Sequence, residues 1–97
     1  MKIIIWTDSA LSDYHGNIDY LLREWSEKEA FCFIEDVDCV LFTLKMGNVE
    51  FKESGYKNIR QCFVCKQITL FYRNIDKEKI ELLRFWNNNQ DTRGLIF

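Results

Sequence analysis

The motif Ser26-Glu27-Lys28-Glu29 constrains the fold of this chain more than any other sequence feature. Ser26 can accept a hydrogen bond from the amide of Glu29, and the Glu29 carboxylate can reach back, which is the pattern of a helix capping box. Apolar residues recur at helical spacing on both sides of the motif. The sequence therefore predicts two helices joined by a tight corner, an αα-hairpin. The first apolar stripe comprises Leu11, Tyr14, Ile18, Leu21, Leu22 and Trp25, and the second comprises Ala30, Phe33, Ile34, Val37, Val40, Leu41 and Leu44.

Strand and cap signals flank the two helical patterns. Residues 2–6 are rich in β-branched side chains and predict a first strand. Thr7 or Asp8 can then cap the first helix by accepting hydrogen bonds from its free amides. Gly47 predicts the end of the second helix, because glycine readily adopts the left-handed conformation common at that position.

The remainder of the chain predicts a loop and three strands. Residues 47–58 lack hydrophobic periodicity, and residues 59–89 contain three strand-type runs with a polar turn at 74–79. The order β-α-α-β-β-β predicts an α+β fold, in which an antiparallel sheet packs against an N-terminal helical hairpin. Ninety-seven residues suffice for one core, so residues 1–97 are expected to form a single domain.

Basic residues are concentrated in the second half of the chain. Residues 1–51 carry ten acidic and four basic side chains, whereas residues 52–97 carry five acidic and nine basic ones. Several of these cations lie within strand-type runs, where an unpaired charge is costly to bury. One sheet face is therefore expected to be open to an anionic partner. The alternative is local pairing across a strand hairpin. Such pairs would join Arg73 or Arg84 to Asp76, Glu78 or Glu81.

The four cysteines predict neither a metal site nor a cofactor. Cys62 and Cys65 form a C-x-x-C pair, but within a strand an odd separation would send them to opposite faces. Cys32 and Cys39 fall on roughly one face of the second helical pattern, and the only histidine, His15, has no companion ligands. Buried or half-buried free thiols are expected instead.

Membrane insertion and secretion are not predicted. No apolar run approaches the roughly 18 to 20 residues that span a bilayer. Residues 1–6 are too short for the apolar core of a signal peptide and lead directly to Asp8. A cytoplasmic location is expected.

The order and the local sequence of the predicted elements resemble a known family. Residues 4–11 and 18–30 are similar to its first strand and helical hairpin, with the corner at Trp25-Ser26-Glu27-Lys28-Glu29-Ala30. Residues 66–73 and 80–90 are similar to its two central hairpin strands and the polar segment after them. Element order and length match over nearly the whole chain. On these features the sequence resembles the RelE/ParE superfamily of bacterial toxins, and most of all its ParE-like branch.

This resemblance implies the toxin component of a type II toxin–antitoxin system, a class associated with plasmid stabilisation. A cognate antitoxin, usually encoded next to the toxin, would neutralise it by gripping its helices and sheet. RelE-like members cleave messenger RNA on the ribosome, whereas ParE-like members inhibit DNA gyrase without an obvious catalytic centre. The resemblance implies no cofactor.

The candidate site residues are the cations and amides of residues 59–89. Cleaving RNA through its 2′-hydroxyl needs a base, a cation to stabilise the phosphorane and an acid for the leaving oxygen. The candidates for catalysis are Arg60, Lys66 and Arg84, and those for binding are Arg60, Lys66, Arg73, Arg84, Asn87 and Asn89. Lys66 as a solvated turn residue and Tyr72 as a core phenol are competing interpretations.

Two departures from the nuclease pattern weigh against catalysis. Thr69 stands where RelE-like nucleases tend to carry an arginine. Asn87-Asn88-Asn89 occupy a segment that is often basic in the superfamily, and asparagine can hydrogen-bond a phosphate but supplies no charge and no proton. The sequence therefore favours a toxin that binds a macromolecular target, of gyrase-inhibitor type. A RelE-type ribonuclease and an attenuated toxin retained as an antitoxin partner are the alternatives. An acidic antitoxin tail is expected along Arg60, Lys66 and Arg84.

Overall fold

The computed structural model describes residues 1–47 and 49–97. Its element order is β-α-α-β-β-β, as the sequence predicts. Asn48, within the predicted loop 47–58, lies outside the described residues. The strands are β1 (Ile3–Trp6), β2 (Arg60–Phe63), β3 (Ile68–Asn74) and β4 (Lys79–Asn87), the helices are α1 (Asp8–Glu24) and α2 (Glu27–Met46), and a 3-10 turn spans Thr92–Gly94.

The four strands form one sheet in the order β1-β4-β3-β2. Strands β2, β3 and β4 are antiparallel, but β1 pairs with β4 in parallel, from Ile3 opposite Lys79 to Trp6 opposite Leu82. The sheet is therefore mixed, and the expectation that all of it would be antiparallel is corrected at β1. Parallel pairing needs a long connection, and the helical hairpin together with β2 and β3 supplies one.

The predicted helix ends are confirmed. The side chain of Thr7 accepts a hydrogen bond from the amide of Ala10 at the start of α1, and Ser26 accepts one from Glu29 at the start of α2. Gly47 ends α2 in the left-handed conformation, with φ of 72°. These caps satisfy amides and carbonyls that the helices leave free, which fixes the corner between them.

The buried face of α1 differs from the predicted stripe. Its fully buried residues are Ala10, Asn17 and Leu21, whereas Leu11, Leu22 and Trp25 are exposed. The helix is rotated so that small and polar side chains face the sheet, because α1 packs closely along the edge of β4. The stripe of α2 is confirmed, with Ala30, Phe33, Val37 and Leu44 buried and Ile34, Val40 and Leu41 half-buried.

An aromatic cluster joins the helical hairpin to the sheet. The ring of Phe85 on β4 lies 5.5 Å from Trp6 and 6.0 Å from Tyr14, measured between centroids. It also lies 6.4 Å from Phe33 of α2, edge to face. Phe85 is 2% exposed, so this residue is the contact point of β1, β4 and both helices.

The C-terminal segment covers the other face of the sheet. Leu95 is buried against Phe71, Leu83 and Trp86, which point away from the helices. The Phe97 ring lies 5.3 Å from Phe71 and 5.0 Å from the ring of Tyr56. The open cationic face expected from the sequence is thus an apolar face covered by the chain's own end. No helix within the described ranges is long and apolar enough to cross a membrane.

Candidate functional site

The structure separates the predicted site residues along the sheet. Arg60 begins β2 opposite Tyr72, and Arg73 follows at the same end of β3. Lys66 lies in the β2–β3 turn at the other end, roughly 20 Å away along β3 at about 3.4 Å per residue. Asn87 ends β4 opposite Ile68, near the Lys66 end of the sheet, and Asn89 follows two residues later. These residues do not form one cleft.

Arg84 is held by an acidic residue of α1. Its Nε and Nη2 atoms donate to the two carboxylate oxygens of Asp13 at 2.6 and 3.0 Å, and its Nη1 donates to the carbonyl of Ile96. Both side chains are only 18% exposed. The Asp13 carboxylate raises the pKa of Arg84, and burial of the guanidinium opposes that rise. Arg84 therefore joins α1, β4 and the C-terminal segment, and the local pairing expected with residues 76–81 does not occur at this position.

Thr7 and two polar residues of α1 cover the edge of β4 where β1 ends. Beyond Trp6, β1 no longer covers β4, and Thr7 donates to the carbonyl of Leu82 at 2.8 Å. Asp13 accepts a hydrogen bond from the amide of Phe85, and Asn17 donates to the Phe85 carbonyl at 2.9 Å. The sequence interpretation missed both residues. The signal that could have revealed them is the polar pair at positions 13 and 17, next to Ala10 and Leu21 on one helix face.

Thr69 and Asn88 form a neutral hydrogen-bonded pair. The Thr69 hydroxyl, on a residue 4% exposed, donates to the Asn88 side-chain carbonyl at 2.7 Å. Asn88 is also bonded to the β2–β3 turn, because its backbone amide donates to the backbone carbonyl of Gln67 at 2.6 Å. Neither side chain can stabilise a phosphorane by charge or exchange a proton near neutral pH. The position where the sequence pattern would need an arginine is thus occupied by a buried, satisfied threonine.

Asn87 and Asn89 lie in a pocket of about 450 Å³ between α1 and the end of β4. Asn87 is 7% exposed, and its side-chain oxygen accepts a hydrogen bond from the amide of Asn89. Gly16 of α1 lines this pocket and faces open space, since a Cβ at that position would meet no atom within 4 Å. The pocket is polar and offers hydrogen bonds. Its lining comprises Ser12, Asp13, Gly16, Asn17, Tyr20, Arg23, Phe85, Asn87, Asn89 and Gln90.

Arg60 and Arg73 lie in a second, larger groove at the opposite end of the sheet, with a volume of about 810 Å³. Lys57 and Tyr56 line the same groove. Arg60 donates to the carbonyl of Phe51 at 2.7 Å and lies 3.5 Å from a carboxylate oxygen of Glu50. Arg73 pairs with Glu81 at 2.7 Å, which is one of the pairs expected across the hairpin. Three cations therefore line the groove, and two of them, Arg60 and Arg73, already face acidic side chains of this chain.

Tyr72 is a core phenol, as one interpretation of the sequence predicts. It is 1% exposed, and its hydroxyl accepts a hydrogen bond from the amide of Phe51. Burial raises the pKa of Tyr72, so its hydroxyl keeps its proton at neutral pH. The buried Trp86 Nε1–H on the other sheet face has no hydrogen-bond partner among the described residues.

The four cysteines are free thiols in contrasting environments. Cys62 is buried in β2, whereas Cys65 lies in the turn after it and packs against the same core, so the predicted placement on opposite faces does not apply. Cys32 and Cys39 are exposed on α2, contrary to the expectation of buried or half-buried thiols. Within residues 1–47 and 49–97, no three histidine, cysteine or acidic side chains are placed to hold a metal ion.

Alkylation of the native protein at pH 8 is expected to label Cys32 and Cys39 quickly and Cys62 very slowly. Burial raises the pKa of Cys62 to about 12, so only about one thiol in ten thousand is the reactive thiolate at that pH. Burial also raises the pKa of the half-buried Cys65. Mass spectrometry of peptides after a short iodoacetamide pulse measures each site. Denatured protein labelled in parallel is the control, and equal native labelling at Cys32 and Cys62 would contradict the structure.

Comparisons with known proteins place this geometry among solved toxins. No family model and no curated protein matches the sequence. A chain of the chromosomal ParDE TA system from P. aeruginosa superposes with a TM-score of 0.73 at 17% identity, over 90% of this chain and 96% of that one. A chain of the E. coli DinJ–YafQ complex gives 0.61 at 11% identity over 100% of both chains. The YoeB/ParE toxin from Agrobacterium tumefaciens gives 0.59 at 16% identity, over 90% and 98%. This chain therefore has the RelE/ParE-like fold of these solved proteins, which is the fold that the resemblance of its sequence implies.

Proposed function

We propose that this chain is the toxin of a bacterial type II toxin–antitoxin system and that it acts by binding a macromolecular target. The solved proteins that share its fold include chains from the ParDE system and from the DinJ–YafQ complex. A cognate antitoxin is the expected partner, and DNA gyrase is the target that the ParE-like resemblance favours. Both would be met in the cytoplasm.

The Thr69–Asn88 hydrogen bond is the main observation that supports a mechanism by binding rather than by catalysis. A ribonuclease of this fold would need charge at that end of β3, and these side chains supply a neutral, internally satisfied contact. Arg84 already forms an ion pair with Asp13, and Tyr72 is buried with its hydroxyl hydrogen-bonded to the amide of Phe51. Lys66 is the only one of the three proposed catalytic cations at the Asn88 end. One lysine does not supply a base, a cation and an acid together.

A ribosome-dependent messenger RNA endoribonuclease is the second candidate, and one observation favours it. Tyr56, Lys57, Arg60 and Arg73 line one open groove, which brings a phenol and three cations together. Bases can stack on an exposed aromatic ring, and phosphates attract cations. The groove lies at the end of the sheet away from Thr69, however, so any chemistry there would use residues other than the predicted set.

Controlled expression in a bacterial host tests the proposed function. The chain is induced alone or together with the gene encoded beside it, and growth and plasmid supercoiling are measured. We expect growth arrest and altered supercoiling with the chain alone, and normal growth when the neighbouring protein is present. The control is the same plasmid with an early stop codon, which produces no folded protein. Normal growth under full induction would contradict the proposal and would favour the attenuated toxin.

A further inference from the structure

Two buried asparagines line the pocket between α1 and the end of β4. Asn17 and Asn87 are each 7% exposed, and the pocket that they share has a volume of about 450 Å³. A carboxamide has two N–H donors and an acceptor oxygen, and buried polar atoms are normally hydrogen-bonded. Each of these two side chains makes only one hydrogen bond within the described part of the chain, so each keeps capacity for a ligand.

Backbone contacts fix the direction in which each asparagine points. The Nδ2 of Asn17 donates to the carbonyl of Phe85 at 2.9 Å, which turns the Asn17 Oδ1 away from β4. The Oδ1 of Asn87 accepts from the amide of Asn89 at 2.9 Å, which turns the Asn87 Nδ2 away from the chain. Neither of the two remaining atoms is enclosed in the way that the Nε1 of Trp86 is. Both atoms therefore open onto the pocket that their residues line.

One acceptor and one donor in the same pocket match a planar amide edge. Phe85 and Asn87 lie two residues apart on β4, so their side chains are on one face of the sheet, and Asn17 is bonded to Phe85 itself. A ligand amide can offer its N–H to the Oδ1 of Asn17 and its carbonyl to the Nδ2 of Asn87. Uracil-type bases and primary carboxamides both carry such an edge, and proteins read base edges with asparagine in this way.

The charges around the pocket favour a ligand with an anionic group. Among the described lining residues, only Asp13 and Arg23 are charged. The carboxylate of Asp13 is balanced within the protein, because it accepts hydrogen bonds from Arg84 and from the amide of Phe85. The side chain of Arg23 is 67% exposed and lies 3.4 Å from Glu24, an equally solvated pair that contributes little. Arg23 can therefore turn towards an anion at the mouth of the pocket.

We infer that this pocket, which we call the asparagine pocket after Asn17, Asn87 and Asn89, binds a small ligand that carries an amide edge and an anionic group. Asn17 accepts from the ligand N–H, Asn87 donates to the ligand carbonyl, and Arg23 faces the anionic group. Uridine monophosphate and glutamine both have this chemistry, and the volume is within the range of small-molecule sites. Such a site would be independent of the proposed function, so binding measurements alone test it.

Two variants, each with a matched control, test the asparagine pocket. Asn87→Asp keeps an oxygen for the amide of Asn89 but replaces the Nδ2 donor by an acceptor. Gly16→Leu fills the pocket, and α1 is expected to tolerate it, because a Cβ at Gly16 meets no atom within 4 Å and leucine is the better helix former. The controls are Asn74→Asp, at the opposite end of the sheet, and Ser9→Leu, exposed on α1 outside the lining. Circular dichroism checks the fold of all four.

NMR titration of the amide signals measures affinity and location together. We expect uridine monophosphate, glutamine or both to bind the wild type and to shift the signals of Gly16, Asn87 and Asn89. Affinity should fall at least about tenfold in Asn87→Asp and in Gly16→Leu and stay unchanged in the two controls. Arg23→Ala should weaken binding about threefold, because the lost attraction is that of an exposed charge. Uridine monophosphate methylated at N3 and glutamate lack the amide edge, and each should bind at least about tenfold more weakly than its parent.

The two ligands distinguish the sources of the amide edge. Binding of uridine monophosphate alone assigns the asparagine pocket to a nucleobase, and binding of glutamine alone assigns it to an amino-acid carboxamide; either result supports the inference. It would be overturned if neither ligand bound at millimolar concentration, or if Gly16→Leu bound as tightly as Ser9→Leu. Equal binding of the ligands that lack the amide edge would also overturn it, whatever the behaviour of Asn87→Asp.

Discussion

Replacing Phe85 by alanine is expected to lower the free energy of unfolding by about 3 to 5 kcal/mol. Phe85 is 2% exposed and contacts Trp6, Tyr14 and Phe33, so its loss leaves a cavity where the sheet meets the helical hairpin. A domain of this size has a total stability of about 5 to 15 kcal/mol, so about a fifth or more of it depends on this one ring. Urea unfolding followed by circular dichroism measures the change.

Phe63→Ala is the control for the loss of a phenyl ring as such. Phe63 is 65% exposed, and its replacement is expected to change stability by less than about 0.5 kcal/mol. If Phe85→Ala cost no more than Phe63→Ala, the packing of the helical hairpin on β4 described above would be wrong.

Replacing Asp13 by alanine is expected to cost about 3 kcal/mol. The change leaves the Arg84 guanidinium and the Phe85 amide without their shared acceptor in a site only 18% exposed. Removing Arg84 as well should cost less than the sum of the two single changes, because no unpaired charge then remains. The double-mutant cycle in urea measures this coupling.

Glu81→Ala is the matched control for Asp13→Ala. It also breaks an arginine–carboxylate pair on β4, but its partner Arg73 is 51% exposed. Solvent screens that pair, so the expected loss is below about 1 kcal/mol. Equal losses at Asp13 and Glu81 would show that Arg84 gains nothing from its pairing with α1.

The local parts of the fold could be predicted because their causes lie within a few residues. Ser26 and Glu29 define the start of α2, Gly47 ends it, and Asp76 accepts from the amides of Glu78 and Lys79 in the last turn. The rotation of α1 could not be predicted in this way. It depends on Asp13 and Asn17 completing the edge of β4, about 70 residues later in the chain.

The candidate site likewise has some features that could be predicted from the sequence and others that could not. Residue types alone predict that Thr69 and the asparagine segment do not support catalysis, and this stays a prediction. The structure adds that Thr69 and Asn88 are hydrogen-bonded to each other. The placement of the cationic side chains could not be predicted, because it depends on which acidic residue each one pairs with in the folded chain. Arg84 finds Asp13 at a separation of 71 residues, and the C-terminal segment covers the face that the strand charges were expected to leave open.

Mapping of transcript ends in cells arrested by this chain distinguishes binding of a target from cleavage of messenger RNA. We expect the 5′ ends of messenger RNA to match those of cells carrying the empty vector, because the Thr69–Asn88 contact supplies neither a charge nor an exchangeable proton. New, reproducible cut sites within translated reading frames would contradict it. Loss of those cuts in Arg60→Ala would then place the chemistry in the groove at the other end of β3.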